Sequence, residues 1–168
     1  ILIAVYGDFV ENDPSHYVFD AKNSSLRPAR DVFITVCDSG SGDCSVKANW
    51  STPINISNTA LRSSMQTDWN GDGNRTPYHG DSDNPHVFAS GSHAVVTWVD
   101  KYCPDDNDVQ RSVTYPESDD REIAMSCVYA AHATGDFSAW TVDKLSDGSR
   151  DAKQDVSKGL SSGAWAIT

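Results

Sequence analysis

Residues 68–74 read Asp-Trp-Asn-Gly-Asp-Gly-Asn, with an acid or amide at every second position and Gly73 near the end of the run. Asp68-x-Asn70-x-Asp72-Gly73 fits the first half of a calcium loop, in which alternate oxygens turn inward and the glycine permits the sharp bend. Asn74 can add a carbonyl. The bidentate Glu that usually ends such a loop is replaced by His79, and Asp81 and Asp83 just beyond it are the carboxylates that would complete the set. The expectation is a structural Ca2+ site that orders a long loop; the alternative is a solvated Asn/Gly turn.

Four of the five histidines fall between residues 79 and 132, and neutral imidazole suits copper or zinc. A two-histidine copper site can be drawn from His79 and His132, with Trp69 in the same acidic loop. His86 and His93 are the alternatives, because they flank the Ala-Ser-Gly-Ser turn of 89–92 and could face one another across a hairpin. Taken singly, each histidine is more simply a surface or half-buried side chain. Hydrolytic chemistry does not assemble. Gly159-x-Ser161-x-Gly163 precedes an apolar run, whereas a nucleophile elbow joins a strand to a helix, and Asp119 and Asp120, adjacent on a strand, would face opposite sides. No catalytic residue is assigned, and a non-enzymatic role is expected.

The elements that must position these groups read as short strands between polar turns. "DVFITVC" at 31–37 alternates, and "PHVFASGSHAVVTWV" at 85–99 splits into two apolar runs around a glycine turn. No segment carries a helical apolar stripe; "SRDAKQDVSKGL" at 149–160 has too few apolar residues for a buried face. The class expected is all-β with long loops in a single β domain, 1–168. Cys37 and Cys44 flank a Gly/Ser/Asp loop, and Cys103 and Cys127 each end a strand-like run. Two disulfides in that pairing are expected, rather than zinc, since no C-x-x-C occurs. They imply an extracellular, cell-surface or periplasmic setting.

Laid on itself, the chain shows a repeat. Cys37 and Cys127 are 90 residues apart, and so are Trp50 and Trp140. The offset then falls, because "HAVVT" ending at Thr97 matches "AWAIT" ending at Thr168. Two related units, 31–97 and 121–168, follow, the first carrying an insertion of about residues 66–83 that contains the acidic loop. Trp50, Trp98, Trp140 and Trp165 lie in strand-like runs and read as core, whereas Trp69 has no local apolar pattern to bury it.

The balance of 13 Lys+Arg against 24 Asp+Glu, a formal charge of -11, repels phosphates and anionic lipid heads. Nucleic acid is therefore discounted as a partner, while metal ions are compatible. No apolar run approaches the roughly 20 residues of a membrane helix, so no membrane insertion is expected. The start at Ile1 and the end on "GAWAIT" suggest a processed or incomplete chain.

A strand, a turn and a tryptophan followed by "STPINIS" resemble the blades of Asp-box, sialidase-like β-propellers. Ala133, Gly135 and Phe137 stand before Trp140 where that family's Ser, Asp and Gly belong. This resemblance implies propeller-like units and, as an alternative function, a fragment that binds or hydrolyses glycans through residues such as Arg75, Tyr78, Glu117 and Glu122. "NISNT", the calcium-like loop, "WVDKYC" and "SDGSRDAKQD" look like the copper-binding surface proteins of methanotrophs of the MopE and CorA type. That resemblance implies copper acquisition, with one copper(I) held by two histidines and an oxidised tryptophan. No tryptophan here stands two residues before a histidine, so the family's Trp-x-His spacing does not carry over.

Overall fold

Ile3 and Val5, then Val32, Ile34 and Val36, then Ala94, Val96 and Trp98 recur at every second position, a spacing that puts each set on one face of a strand. In the computed structural model, which describes residues 1–20, 23, 25–69, 72–114 and 121–152, the first two sets lie on β1 (Leu2–Phe9) and β4 (Arg30–Cys37), paired antiparallel. The hairpin of β2 (Tyr17–Asp20) and β3 (Ser25–Pro28) occupies the connection between them, and β5 (Ile54–Asn55) adds to β4. A separate hairpin follows, β6 (Ser63–Thr67) and β7 (Thr76–His79). The larger sheet is an antiparallel meander of β8 (Ser82–Ser90), β9 (His93–Asp100), β12 (Cys127–Thr134) and β13 (Thr141–Lys144), interrupted by the hairpin of β10 (Ser112–Thr114) and β11 (Glu122–Ala124). The all-β class read from the alternation is therefore the class observed. Among the described residues the helical segments are two short 3-10 turns, Pro14–His16 and Lys47–Asn49, and no helix is long and apolar enough to cross a membrane.

The run β1–β4–β5 and the run β9–β12–β13 share one connectivity: a strand, an inserted hairpin, a returning antiparallel strand and a third beside it. This shared pattern starts at β1 and at β9, whereas the units read from the sequence start at residue 31 within β4 and at residue 121 just before β11. At the sequence offset, Cys37 is the last residue of β4 while Cys127 is the first of β12. The cysteines mark where disulfides close, and one closes at a strand's end, the other at a strand's start. The second sequence unit from residue 153 onward, with Trp165 and the Gly159-x-Ser161-x-Gly163 run, lies outside the described residues.

The two sheets meet through Val32, Ile34, Ile56, Val96, Trp98 and Ala131, with Ile3, Val5, Val87, Tyr129 and Trp140 packed around them. Each fully buried aliphatic side chain there contributes about 1.5–3 kcal/mol. Trp98 stacks on Tyr129 with ring centroids 5.6 Å apart. Both expected disulfides are present, Cys37–Cys44 and Cys103–Cys127, with Cα atoms 5.8 and 5.1 Å apart. The first closes a turn held by the Asp38 carboxylate, which accepts from the Gly40 N–H and the Ser41 hydroxyl at 2.9 and 2.6 Å. The chain returns to β4 only at Trp50, which bridges Cys37.

One expectation about the histidines fails on register. The β8–β9 hairpin sets Ser90 opposite His93 and His86 opposite Thr97. His86 and His93 are thus offset along the ladder by about 13 Å at a strand rise of ~3.3 Å per residue, too far to share an ion.

Candidate metal centres

Three hairpins, β2–β3, β6–β7 and β10–β11, converge on a second, smaller core of Val18, Ala29, Ala60, Tyr78, Ile123 and Ala124. Trp69 packs partly buried against this cluster, and its Nε1 donates to Thr76 Oγ1 at 2.8 Å. The sequence offered no local apolar run to receive it because its partners come from elements far away in the chain. The two candidate centres sit at the edges of this core.

The first is the turn that joins β6 to β7. Asp68 Oδ2 accepts from the Gly73 N–H at 3.1 Å and Asp72 Oδ1 from the Asn74 N–H at 2.8 Å. The carboxylates thus hold their own turn, and Gly73, at φ +86°, supplies the left-handed step. Asp68 Oδ1 and the neighbouring Thr67 Oγ1 are buried without a hydrogen-bond partner. Asn70 lies outside the described residues. Arg75 forms an ion pair with Glu122 at 2.9 Å, and Glu122 Oε1 accepts from the Ser112 hydroxyl at 2.6 Å. Hydrogen bonds to Ser112 and Arg75 outweigh partial burial and hold the Glu122 carboxyl below its ordinary range. Tyr78 is buried in the small core.

Asp81 and Asp83 are engaged elsewhere. Arg27 donates to both Asp81 oxygens at 2.7 and 2.6 Å, and Arg30 donates to the same carboxylate through its backbone N–H and its guanidinium. Asp83 pairs with Arg30 at 3.0 Å. Burial pushes the Asp81 carboxyl up, yet the two guanidiniums outweigh it and hold it below the usual carboxylate range. The Asp81 oxygens already satisfy two arginines, so they do not complete a calcium set with Asp68.

Next to this pair lies a buried carboxylate that forms no ion pair with a cation among the described residues. Asp100 accepts from the Thr59 and Ser82 hydroxyls at 2.6 and 2.7 Å and from the Tyr102 N–H at 2.7 Å. Complete burial dominates over these hydrogen bonds and pushes its carboxyl up to about 6. Thr59 also lies 3.3 Å from Asp31, a buried acid that Asn55, Ser57 and the N–H groups of Thr59 and Ala60 surround with donors.

The second candidate centre joins the segment before β2 to the end of β7. Asp13 caps the 3-10 turn at Pro14–His16 by accepting from the Ser15 N–H at 2.9 Å, with Pro14 in its first position. That hydrogen bond lowers the Asp13 carboxyl. The turn brings His16 Nδ1 onto Glu11 Oε1, and one donor atom from each of Glu11, Asp13 and His16 lies within 4.8 Å of the others. His79 closes the corner: its ring stands edge-on to His16 with centroids 4.7 Å apart and planes inclined by 80°. His79 is 7% exposed and its Nδ1 is buried without a partner. Burial first, then the neighbouring His16, push His79 below the ordinary histidine range, so it is the neutral imidazole that metals bind.

The histidine pair that converges is therefore His16–His79. His132, on β12 between Val95 and Thr141, is exposed and lies 3.5 Å from Asp143. His86 Nε2 lies 3.2 Å from Asn84 Oδ1. Sequence reasoning named His79 and missed Glu11, Asp13 and His16. The local signal for them was Glu-Asn-Asp-Pro-Ser-His at 11–16, an acid-rich stretch with a helix-capping Asp-Pro-Ser and a terminal histidine. No known protein family, curated protein or solved structure matches this chain.

Proposed function

We propose that this chain is a metal-binding β domain of an oxidising compartment, whose β6–β7 turn takes Ca2+ as a structural ion and which serves copper binding at a cell surface. The observation that carries the reading is Asp68 Oδ1, buried and unpartnered in a turn of Asp-x-Asn-x-Asp-Gly spacing. An unpaired buried carboxylate oxygen is expensive to leave bare, and a hard cation is the partner this donor chemistry selects. Asp68, Asn70, Asp72 and Asn74 supply the oxygens. Two disulfides support the compartment, and the copper role follows from the resemblance to the methanotroph surface proteins. Thermal unfolding with and without calcium tests the turn. At a calcium concentration about a hundredfold above Kd the chain gains about 2.7 kcal/mol, and Asp68→Asn removes the gain. A melting temperature indifferent to calcium and chelator would remove the assignment.

A further inference from the structure

Residues 59–62 lead into β6 and residues 80–82 follow β7, so together they form the base of that hairpin. Both sides of the base reach the same oxygen. Asp100 Oδ2, at the end of β9, accepts from the Thr59 hydroxyl on the entering side at 2.6 Å and from the Ser82 hydroxyl on the leaving side at 2.7 Å. Backbone bonds close the base around it: the Arg62 N–H donates to the Thr59 carbonyl and the Gly80 N–H to the Arg62 carbonyl, each at 2.8 Å. A Cβ on Gly80 would meet the Thr59 carbonyl oxygen at 2.5 Å, so the two sides are in direct contact.

Asp100 is fully buried, and the groups around it suit its neutral form. Asp31, on β4, lies 3.3 Å from the Thr59 hydroxyl, which has a single hydrogen for the two carboxylates. Asp81, beside Ser82, is a second neighbouring acid, and Arg27 and Arg30 are bound to Asp81. Lys101 lies 4.0 Å from Asp151, Arg62 stacks over the Tyr102 ring, and Tyr129 of β12 donates its hydroxyl to the Tyr102 carbonyl. A neutral Asp100 gives its proton to Thr59 and leaves Thr59 to donate to Asp31, so the whole row is matched. An ionised Asp100 sets two buried carboxylates against one hydrogen, a cost that only water or a cation relieves.

We propose that Asp100 is a proton-dependent clasp: protonated, it holds the base of the β6–β7 hairpin shut, and its ionisation lets residues 59–62 and 80–82 part and admit water. The ionised carboxylate is hydrated only in the parted form, so opening becomes easier as pH rises. The clasp is built into the fold and depends on neither the calcium nor the copper reading.

Amide hydrogen exchange of the calcium-free chain at Arg62 and Gly80, corrected for the intrinsic pH dependence of exchange, tests it. With Asp100 at about 6 when closed and at its ordinary 3.8 when open, protection at both amides falls roughly fiftyfold between pH 4 and pH 7. Low urea leaves that protection unchanged, since a local opening exposes little surface. Asp100→Asn, neutral at every pH, removes the pH dependence. Thr59→Val deletes a hydroxyl that favours the ionised carboxylate, and so raises the pH at which protection stops falling. Protection that is constant with pH in the parent, that falls equally in Asp100→Asn, or that drops with urea as steeply as at amides of β4 and β12 overturns the proposal. Should Asp100→Asn fail to fold, an unmoved pH in Thr59→Val overturns it equally.

Discussion

The two ends of the 68–83 segment carry similar residues and use them in opposite ways. At its start, Asp68 and Asp72 turn back on the N–H groups of Gly73 and Asn74, close in sequence and near solvent. At its end, Asp81 reaches Arg27 and Arg30, about fifty residues earlier in the chain, and is buried against their partly buried guanidiniums. Between them His79 faces His16. An acid's neighbours in sequence decide its role only where the turn is self-contained. Where the backbone passes into the interior, partners from other elements decide it.

If that division is right, substitution at the buried end has the larger effect. Asp81→Asn leaves two partly buried guanidiniums without their shared carboxylate, and removing one partner of a buried pair costs about 3–5 kcal/mol. Urea unfolding with an unchanged m-value measures it. A loss under about 1 kcal/mol would place this pair with ordinary surface salt bridges and erase the contrast between the two ends.

The pH dependence separates Asp81 from its uncompensated neighbour Asp100. Asp100 is raised to about 6 from an unfolded value of 3.8, so between those values the folded chain holds a proton that the unfolded chain has released. Stability from this group is present at low pH and declines as pH rises from about 4 to about 6, by about 3 kcal/mol at 1.36 kcal/mol per pKa unit. Asp81 runs the other way. Its carboxyl is lowered, so its contribution is present above the ordinary carboxylate range and is lost as pH falls through its folded value. The difference in unfolding free energy between parent and Asp100→Asn should therefore change across pH 4–6, and for Asp81→Asn the change should come below that. A flat Asp100→Asn difference would mean that Asp100 is already ionised in the fold.

The all-β class was legible because alternation is local. Ile3 and Val5, or Val96 and Trp98, announce a strand without reference to anything else. Disulfide pairing was legible because a short Gly/Ser/Asp loop between Cys37 and Cys44 leaves the chain few other ways to close. The histidine corner was hidden, since His16 and His79 stand 63 residues apart and neither β2 nor β7 carries a motif. Asp81 misled for the same reason: its spacing from Asp68 suited calcium, while Arg27 and Arg30 were invisible as partners until β3 and β4 were placed. The sequence repeat aligned Cys37 with Cys127, whereas the strands place these cysteines at the end of β4 and the start of β12.

Two glycines give the finest version of the contrast. Gly80, between His79 and Asp81, lies against another backbone: a Cβ there would sit 2.5 Å from the Thr59 carbonyl oxygen. Thr59 is itself tied to Asp31 and Asp100, so it has no room to yield, and Gly80→Ala should cost about 1–3 kcal/mol as overpacking does. Gly73 has open space where its Cβ would go but a backbone at φ +86°, and Gly73→Ala should cost only the left-handed penalty of about 1–2 kcal/mol. The two losses also differ in what they disturb. Gly80→Ala crowds the buried end and should leave calcium stabilisation at the parent value, whereas Gly73→Ala strains the Asp68 turn and should weaken it. Equal loss of calcium stabilisation in both variants would show that the segment moves as one unit, and the division between its ends would fall.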